Sequence, residues 1–134
     1  MNILLDTHIA LWAIKDDSKL SKAARDFIID PDNTIYYSPV SAWEVLLKHD
    51  SPKNNLTLNP EEFVDYCEGS GYVALNMKPK HVVTASQLDT TNIDKIHSDP
   101  FDRLLLAQAK SENRAYSEKN QRTAHRKADL PDCL

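Results

Sequence analysis

Asn2-Ile3-Leu4-Leu5-Asp6-Thr7-His8-Ile9-Ala10-Leu11-Trp12 starts as a short apolar strand and breaks at a polar Asp6-Thr7-His8 turn. It resumes apolar character at helical density from Ile9 to Ile14. The same order recurs further on. Thr34 to Tyr37 is rich in β-branched and aromatic residues and suits a second strand. Ser38-Pro39 then supplies an N-cap and a proline in the first helical position, opening a helix to about His49. Between these units Ser21 caps a helix through Ile29 that Pro31 stops. Pro60 starts a helix through about Glu68, and Gly69-Ser70-Gly71 leads into a short strand around Tyr72 to Leu75. Pro79 opens a further helix, followed by a polar loop from Asp89 to Ser98. Asp99 caps the most regular helix, with Pro100 at its first position, and that helix runs to about Asn113 before a short strand at Ala115 to Ser117. Short strands alternating with helices imply an α/β fold whose mostly parallel sheet is covered by helices on both faces. Ligand sites in such sheets form at the carboxyl ends of strands, the position that Asp6 occupies.

Composition narrows the class. A chain of 134 residues, 41% hydrophobic and 27% charged, reads as one globular domain over 1–134. Apolar runs such as Leu104 to Ala107 are far too short to span a bilayer, so no membrane partner is expected. Asp6 interrupts the first apolar stretch and no basic segment precedes it, which argues against a secretory signal and for a cytoplasmic protein. Cys67 and Cys133 lack metal-ligand spacing and read as two reduced thiols. A net charge of −4 argues against gripping nucleic acid by charge alone. The segment from Lys110 to Lys127 is nevertheless locally basic, with Arg114, Lys119 and Arg122 opposed only by Glu112 and Glu118. It suits either a phosphate backbone or a solvated helix face.

Acids stand where strands end or helices begin, at Asp6, Glu44, Asp99 and Asp102. Each has an ordinary structural role open to it. Asp6 and Asp99 can cap helices, Glu44 can pair with Lys48 one turn on, and Asp102 suits the first turn of its helix. Together they suit a hard divalent cation, which takes carboxylate oxygens, water and substrate phosphate. No GxSxG, P-loop or HExxH motif offers a competing chemistry.

Leu4-Leu5-Asp6-Thr7-His8-Ile9-Ala10-Leu11-Trp12 resembles the opening of a PIN domain, in particular that of the VapC-like ribonuclease toxins of bacterial type II toxin–antitoxin pairs. Ser38-Pro39-Val40-Ser41-Ala42-Trp43-Glu44-Val45 resembles the second motif of that family, which carries an acid on a helix. The run His97-Ser98-Asp99-Pro100-Phe101-Asp102-Arg103-Leu104 and its continuation to Ala109 resembles the third. The blocks keep family order and spacing, and the resemblance extends from residue 1 to about 117. It implies a three-layer α/β/α fold with a short-stranded parallel sheet, and Mg²⁺- or Mn²⁺-dependent hydrolysis of RNA by metal-activated water. It also implies metal binding by Asp6, Glu44 and Asp102. Asp99 becomes an accessory acid or a cap that shapes the site, and Thr7 and Ser41 become donors orienting carboxylates. The implied partners are RNA, a VapB-like antitoxin and a second copy of the chain.

One departure bears on activity. The family usually carries a fourth acid after its last clear strand, in a Thr/Ser-x-Asp motif. In Tyr116-Ser117-Glu118-Lys119-Asn120 the corresponding position is Lys119 or Asn120, depending on the register chosen. Asn120 would keep the shape of aspartate without its charge, while Lys119, like Arg114 and Arg122, would contact RNA phosphate. The alternative function is a silenced or weakened PIN-like module that binds RNA or an antitoxin without efficient cleavage. A phosphohydrolase using Asp6 as nucleophile would want a second aspartate at position 8, where His8 stands. Trp12 and Trp43 are expected to pack in the core or on a partner, and His81 to sit at a helix start without a metal partner.

Overall fold

A computed structural model describes residues 1–88 and 99–117. Ten elements follow in chain order. These are β1 (Asn2–Leu5), α1 (Thr7–Lys15), α2 (Lys22–Ile29), β2 (Thr34–Tyr37), α3 (Pro39–Asp50), α4 (Pro60–Gly69), β3 (Val73–Ala74), α5 (Pro79–Gln87), α6 (Pro100–Ser111) and β4 (Ala115–Ser117). The strands form one sheet in the order β3-β2-β1-β4, and every pair is parallel. In register, Ile3 faces Ile35 on one side and Ala115 on the other.

Strand periodicity divides the interior in two. Successive side chains alternate across a sheet. Ile3, Leu5, Ile35 and Tyr37 accordingly join a core with Ile9 of α1 and Phe63 of α4. Leu4 turns the other way, into a core with Leu105, Leu106 and Ala109 of α6 and Tyr116 of β4. Helix α3 serves both, giving Val45 to the first and Val40 to the second. Helices therefore cover both faces of a parallel sheet, the three-layer α/β/α arrangement expected from the sequence. Cys67 lies in the first core, where burial pushes its thiol up to about 12 and keeps it protonated.

Local chemistry sets most boundaries. Ser21, Ser38 and Asn59 cap α2, α3 and α4, and proline leads α3, α4, α5 and α6. The polar turn after β1 is shorter than expected. Asp6 alone stays outside the helix, because its carboxylate accepts the His8 N–H and so starts α1 at Thr7. Strand β3 is also shorter, two exposed residues at the sheet edge, although the Leu75 N–H still donates to Tyr37 O at 2.8 Å. Asn113 adopts φ 56°, and the next N–H, of Arg114, returns to Ala109 O at 2.7 Å to reverse the chain into β4. The expected loop from Asp89 to Ser98 lies outside the described residues.

Candidate functional site

The site is assembled where strands end. Asp6 follows the last residue of β1 and is fully buried; one oxygen caps α1 and the other, Oδ2, is buried without a hydrogen bond among the described residues. Glu44 projects from the second turn of α3 and is also buried. Its Oε2 lies 3.0 Å from Lys48 Nζ, while Oε1 has no hydrogen bond among the described residues. Asp102 sits in the first turn of α6 and is 7% exposed. Ahead of it, exposed Asp99 accepts the N–H groups of Phe101 at 2.8 Å and Asp102 at 3.2 Å.

Electrostatics ties these acids to one region. Burial first, then the negative charges of Asp6, Asp99 and Glu44, push the Asp102 carboxyl from 3.8 up to about 7, against a smaller opposing effect from His8. Acids from three separate elements therefore lie near enough to one another to raise the cost of ionising Asp102. Leaving buried oxygens unpaired is costly, and such groups are concentrated at functional sites. As the side chains stand, no three acidic, histidine or cysteine groups among the described residues close on a single point. The donor set still suits a hard divalent cation, since Asp6 Oδ2 and Glu44 Oε1 accept no hydrogen bond among the described residues. Asp6, Glu44 and Asp102 are the residues able to hold one.

The other expected residues divide. Thr7 and Ser41 are buried beside the acids, but they engage each other rather than a carboxylate: Thr7 Oγ1 donates to Ser41 Oγ at 2.9 Å. The first turns of α1 and α3 are thereby tied together, and that contact takes the Thr7 proton which the sequence reading assigned to an acid. Arg114 is not brought to the acids. It precedes Ala115, which pairs with Ile3, so it lies at the amino end of the sheet, with its guanidinium 4.7 Å over the Tyr36 ring. Asn120, Lys119 and Arg122 lie outside the described residues, as does His97. Trp12 packs at the margin of the first core, whereas Trp43 is 56% exposed.

Several positioning contacts carry little sequence signal. The Ser38 hydroxyl donates to Gln108 Oε1, and Gln108 Nε2 donates to Leu75 O at 3.0 Å, joining α3, α6 and the end of β3. Arg103, next to Asp102, donates from its guanidinium to Ala85 O at 2.9 and 3.1 Å and fixes α6 to α5. His81 is more than a helix-start residue. It is fully buried, accepts the Lys78 N–H at Nδ1, and places Nε2 2.8 Å from Glu112 Oε1. Lys48, expected only as a helix-pairing partner, also reaches His8 Nε2 at 3.2 Å and so stands beside the acids. The sole signal for it was its spacing from Glu44.

Comparison with known proteins places this geometry in a family. The PIN-domain family model matches residues 3–122, and the chain belongs to that family. Among solved structures, VapBC2 from Rickettsia felis, bound to a DNA fragment from their promoter, matches with a TM-score of 0.65 at 18% identity. The match covers 100% of this chain and 96% of the other. At that identity the likeness establishes the fold alone. No curated protein sequence matches significantly. No helix among the described residues is long and apolar enough to cross a membrane.

Proposed function

We propose that this chain is a metal-dependent endoribonuclease, the VapC-like toxin of a toxin–antitoxin pair. The observation that carries the reading is the burial of Asp6, Glu44 and Asp102 together, with one oxygen each on Asp6 and Glu44 lacking a hydrogen bond among the described residues. Burial first, then the charges of Asp6, Asp99 and Glu44, raises the Asp102 carboxyl to about 7. Family membership supplies the nuclease class. Asp6, Glu44 and Asp102 are the proposed ligands of Mg²⁺ or Mn²⁺, and Asp99 the cap that aims Asp102. A bound cation of this kind activates water at neutral pH and stabilises the leaving oxygen of a phosphodiester. The chain's own contribution is to present carboxyl oxygens from anchored elements. Asp6 is fixed by the α1 terminus, Glu44 by a helix anchored through Ser38 and Ser41, and Asp102 by a helix anchored through Arg103 and Gln108.

The proposed partners are RNA, a VapB-like antitoxin and a second copy of the chain, in the cytoplasm. A basic antitoxin side chain entering the acidic pocket would neutralise the same charges that a cation does. The second reading, a silenced module that binds RNA or antitoxin without cutting, draws on the spread of the acids and on Lys48 holding one Glu44 oxygen. One experiment separates the two. The purified chain, free of antitoxin, is incubated with pooled cellular RNA in Mn²⁺, Mg²⁺ or EDTA beside an identically prepared Asp6→Asn control. Metal-dependent, site-specific cuts absent from the control are the expected result; no cleavage in any cation supports the silenced module.

A further inference from the structure

Lys48 extends from α3 one turn beyond Glu44, and its Nζ lies 3.0 Å from Glu44 Oε2 and 3.2 Å from His8 Nε2. His8 in turn presents Nδ1 to Asp6 Oδ1 at 3.5 Å. His8, Lys48 and Glu44 are thus linked from the start of α1 to the middle of α3, with Asp6 beside the ring but not hydrogen-bonded to it.

Helix stabilisation is a poor account of this arrangement. Ion pairs spaced i,i+4 contribute about 0.3–0.5 kcal/mol and work best at the surface, where both partners stay hydrated. Lys22 and Asp26 form such a pair here, with side chains 91% and 56% exposed. Lys48 and Glu44 side chains are 25% and 6% exposed, so this pair is largely withdrawn from the surface. An ammonium has three donors, and Glu44 and His8 take two. The third has no partner among the described residues. Buried acids at Asp6, Glu44 and Asp102, in a chain of net charge −4, also call for positive charge beside them before a polyanion can approach.

We propose that Lys48 is a phosphate-binding residue of this site, donating from Nζ to a non-bridging oxygen of the RNA phosphate held against the acids. The proposal rests on the nuclease reading and adds to it the contact that receives the substrate. Glu44 and His8 hold the ammonium in place, and its third N–H is the one offered.

The test is the salt dependence of binding to a labelled single-stranded RNA of mixed sequence, measured with Ca²⁺ present. Each phosphate contact to a single strand contributes about 0.7 to the slope of log K against log salt. Lys48→Met is expected to flatten the slope by about that amount and weaken binding about tenfold, while Lys48→Arg retains both. Lys48→Gln repeats the test if the methionine variant does not fold. Ca²⁺ affinity, read by calorimetry on the same proteins, is expected to be unchanged or tighter in Lys48→Met, because Glu44 loses a competing cation. An unchanged slope, or a wild-type chain that binds no RNA, overturns the proposal. So does a flattened slope accompanied by loss of Ca²⁺ affinity, which would make Lys48 a support for Glu44 only. A wild-type chain that takes up neither Ca²⁺ nor Mn²⁺ overturns the nuclease reading instead, and the slope in EDTA then decides Lys48 by the same criterion.

Discussion

Asp102 and Glu112 mark the two ends of α6, and their surroundings are opposite. Glu112 receives His81 Nε2 at 2.8 Å, Lys80 Nζ at 3.2 Å and Lys78 Nζ at 3.3 Å. Chiefly through the His81 bond, its carboxyl is held down to about 2. Asp102 meets burial and three further acids and is pushed up to about 7. The first acid stabilises the fold that surrounds it, joining α6 to the start of α5. The second is held by that fold against its own electrostatics. An unfavourable arrangement kept in place by favourable ones elsewhere is what a binding site looks like before its ligand arrives.

Removing the strained acid should therefore separate activity from stability, and this is the largest effect expected. Asp102→Asn should lower metal-dependent RNA cleavage more than about a hundredfold, the upper end of what even outer supports of a metal site cost. The same change should stabilise the metal-free chain at pH 8. With a folded value above the unfolded one, Asp102 binds more protons in the native state. Wild-type stability then falls as pH rises from about 4 to about 7 and levels off beyond. At about 1.4 kcal/mol per unit, the accumulated cost is on the order of 2–4 kcal/mol. Urea unfolding in EDTA at pH 5 and pH 8 should show this slope in the wild type and not in the variant, and added Mn²⁺ should reduce it. A variant no more stable than wild type at pH 8 would remove the strain from the account.

Glu112→Ala should give the reverse. It strips the buried His81 N–H of its acceptor, for a loss of about 1.5–3 kcal/mol in urea unfolding. The lysines add little, since their side chains are 54% and 53% exposed. The depressed value means that this contribution is complete above about pH 4.5 and disappears only as pH falls through about 2. The titration of Glu112 itself therefore adds no slope between pH 5 and 8, unlike that of Asp102. Cleavage per folded molecule, assayed well below the melting temperature, should stay within about twofold of wild type. If activity fell and stability did not, the division of labour along α6 would be wrong.

What the sequence disclosed depends on how far apart the interacting groups are. Strand β2 and the starts of α3, α4 and α6 rest on caps and prolines within a few residues, and they were legible. Strand β3 was drawn too long, because pairing with β2, not the Tyr72 to Leu75 run itself, decides how much of it is strand. The acids were legible individually but ambiguous, and the structure shows why. Asp6 does cap α1, Glu44 does pair with Lys48, and Asp99 does cap α6. The ordinary role and the convergence coexist, so neither could be inferred by excluding the other; the resemblance in motif order supplied the convergence. Contacts such as Thr7 to Ser41, Ser38 to Gln108 and His81 to Glu112 span 34, 70 and 31 residues and leave no periodic trace. Arg114 was read from a run of charge, but the register of β4 turns it toward Tyr36.

Asp99 lies between the two extremes, and its variants should give the smallest effects. Its side chain accepts two backbone N–H groups at the start of α6, and its charge contributes to raising Asp102. Asp99→Asn keeps the cap and removes the charge, whereas Asp99→Ala removes both. Asparagine should leave stability within a few tenths of a kcal/mol, and alanine should cost about 1 kcal/mol. Both should lower the titration of Asp102, followed by NMR of its side-chain carboxyl, because one of the neighbouring negative charges is gone. If Asp99 serves as a cap, cleavage by the asparagine variant should remain within about threefold of wild type, in keeping with loss of one exposed charge. A loss approaching that of Asp102→Asn, in a variant that unfolds like wild type, would instead make Asp99 a ligand and extend the strained cluster to the exposed end of the helix.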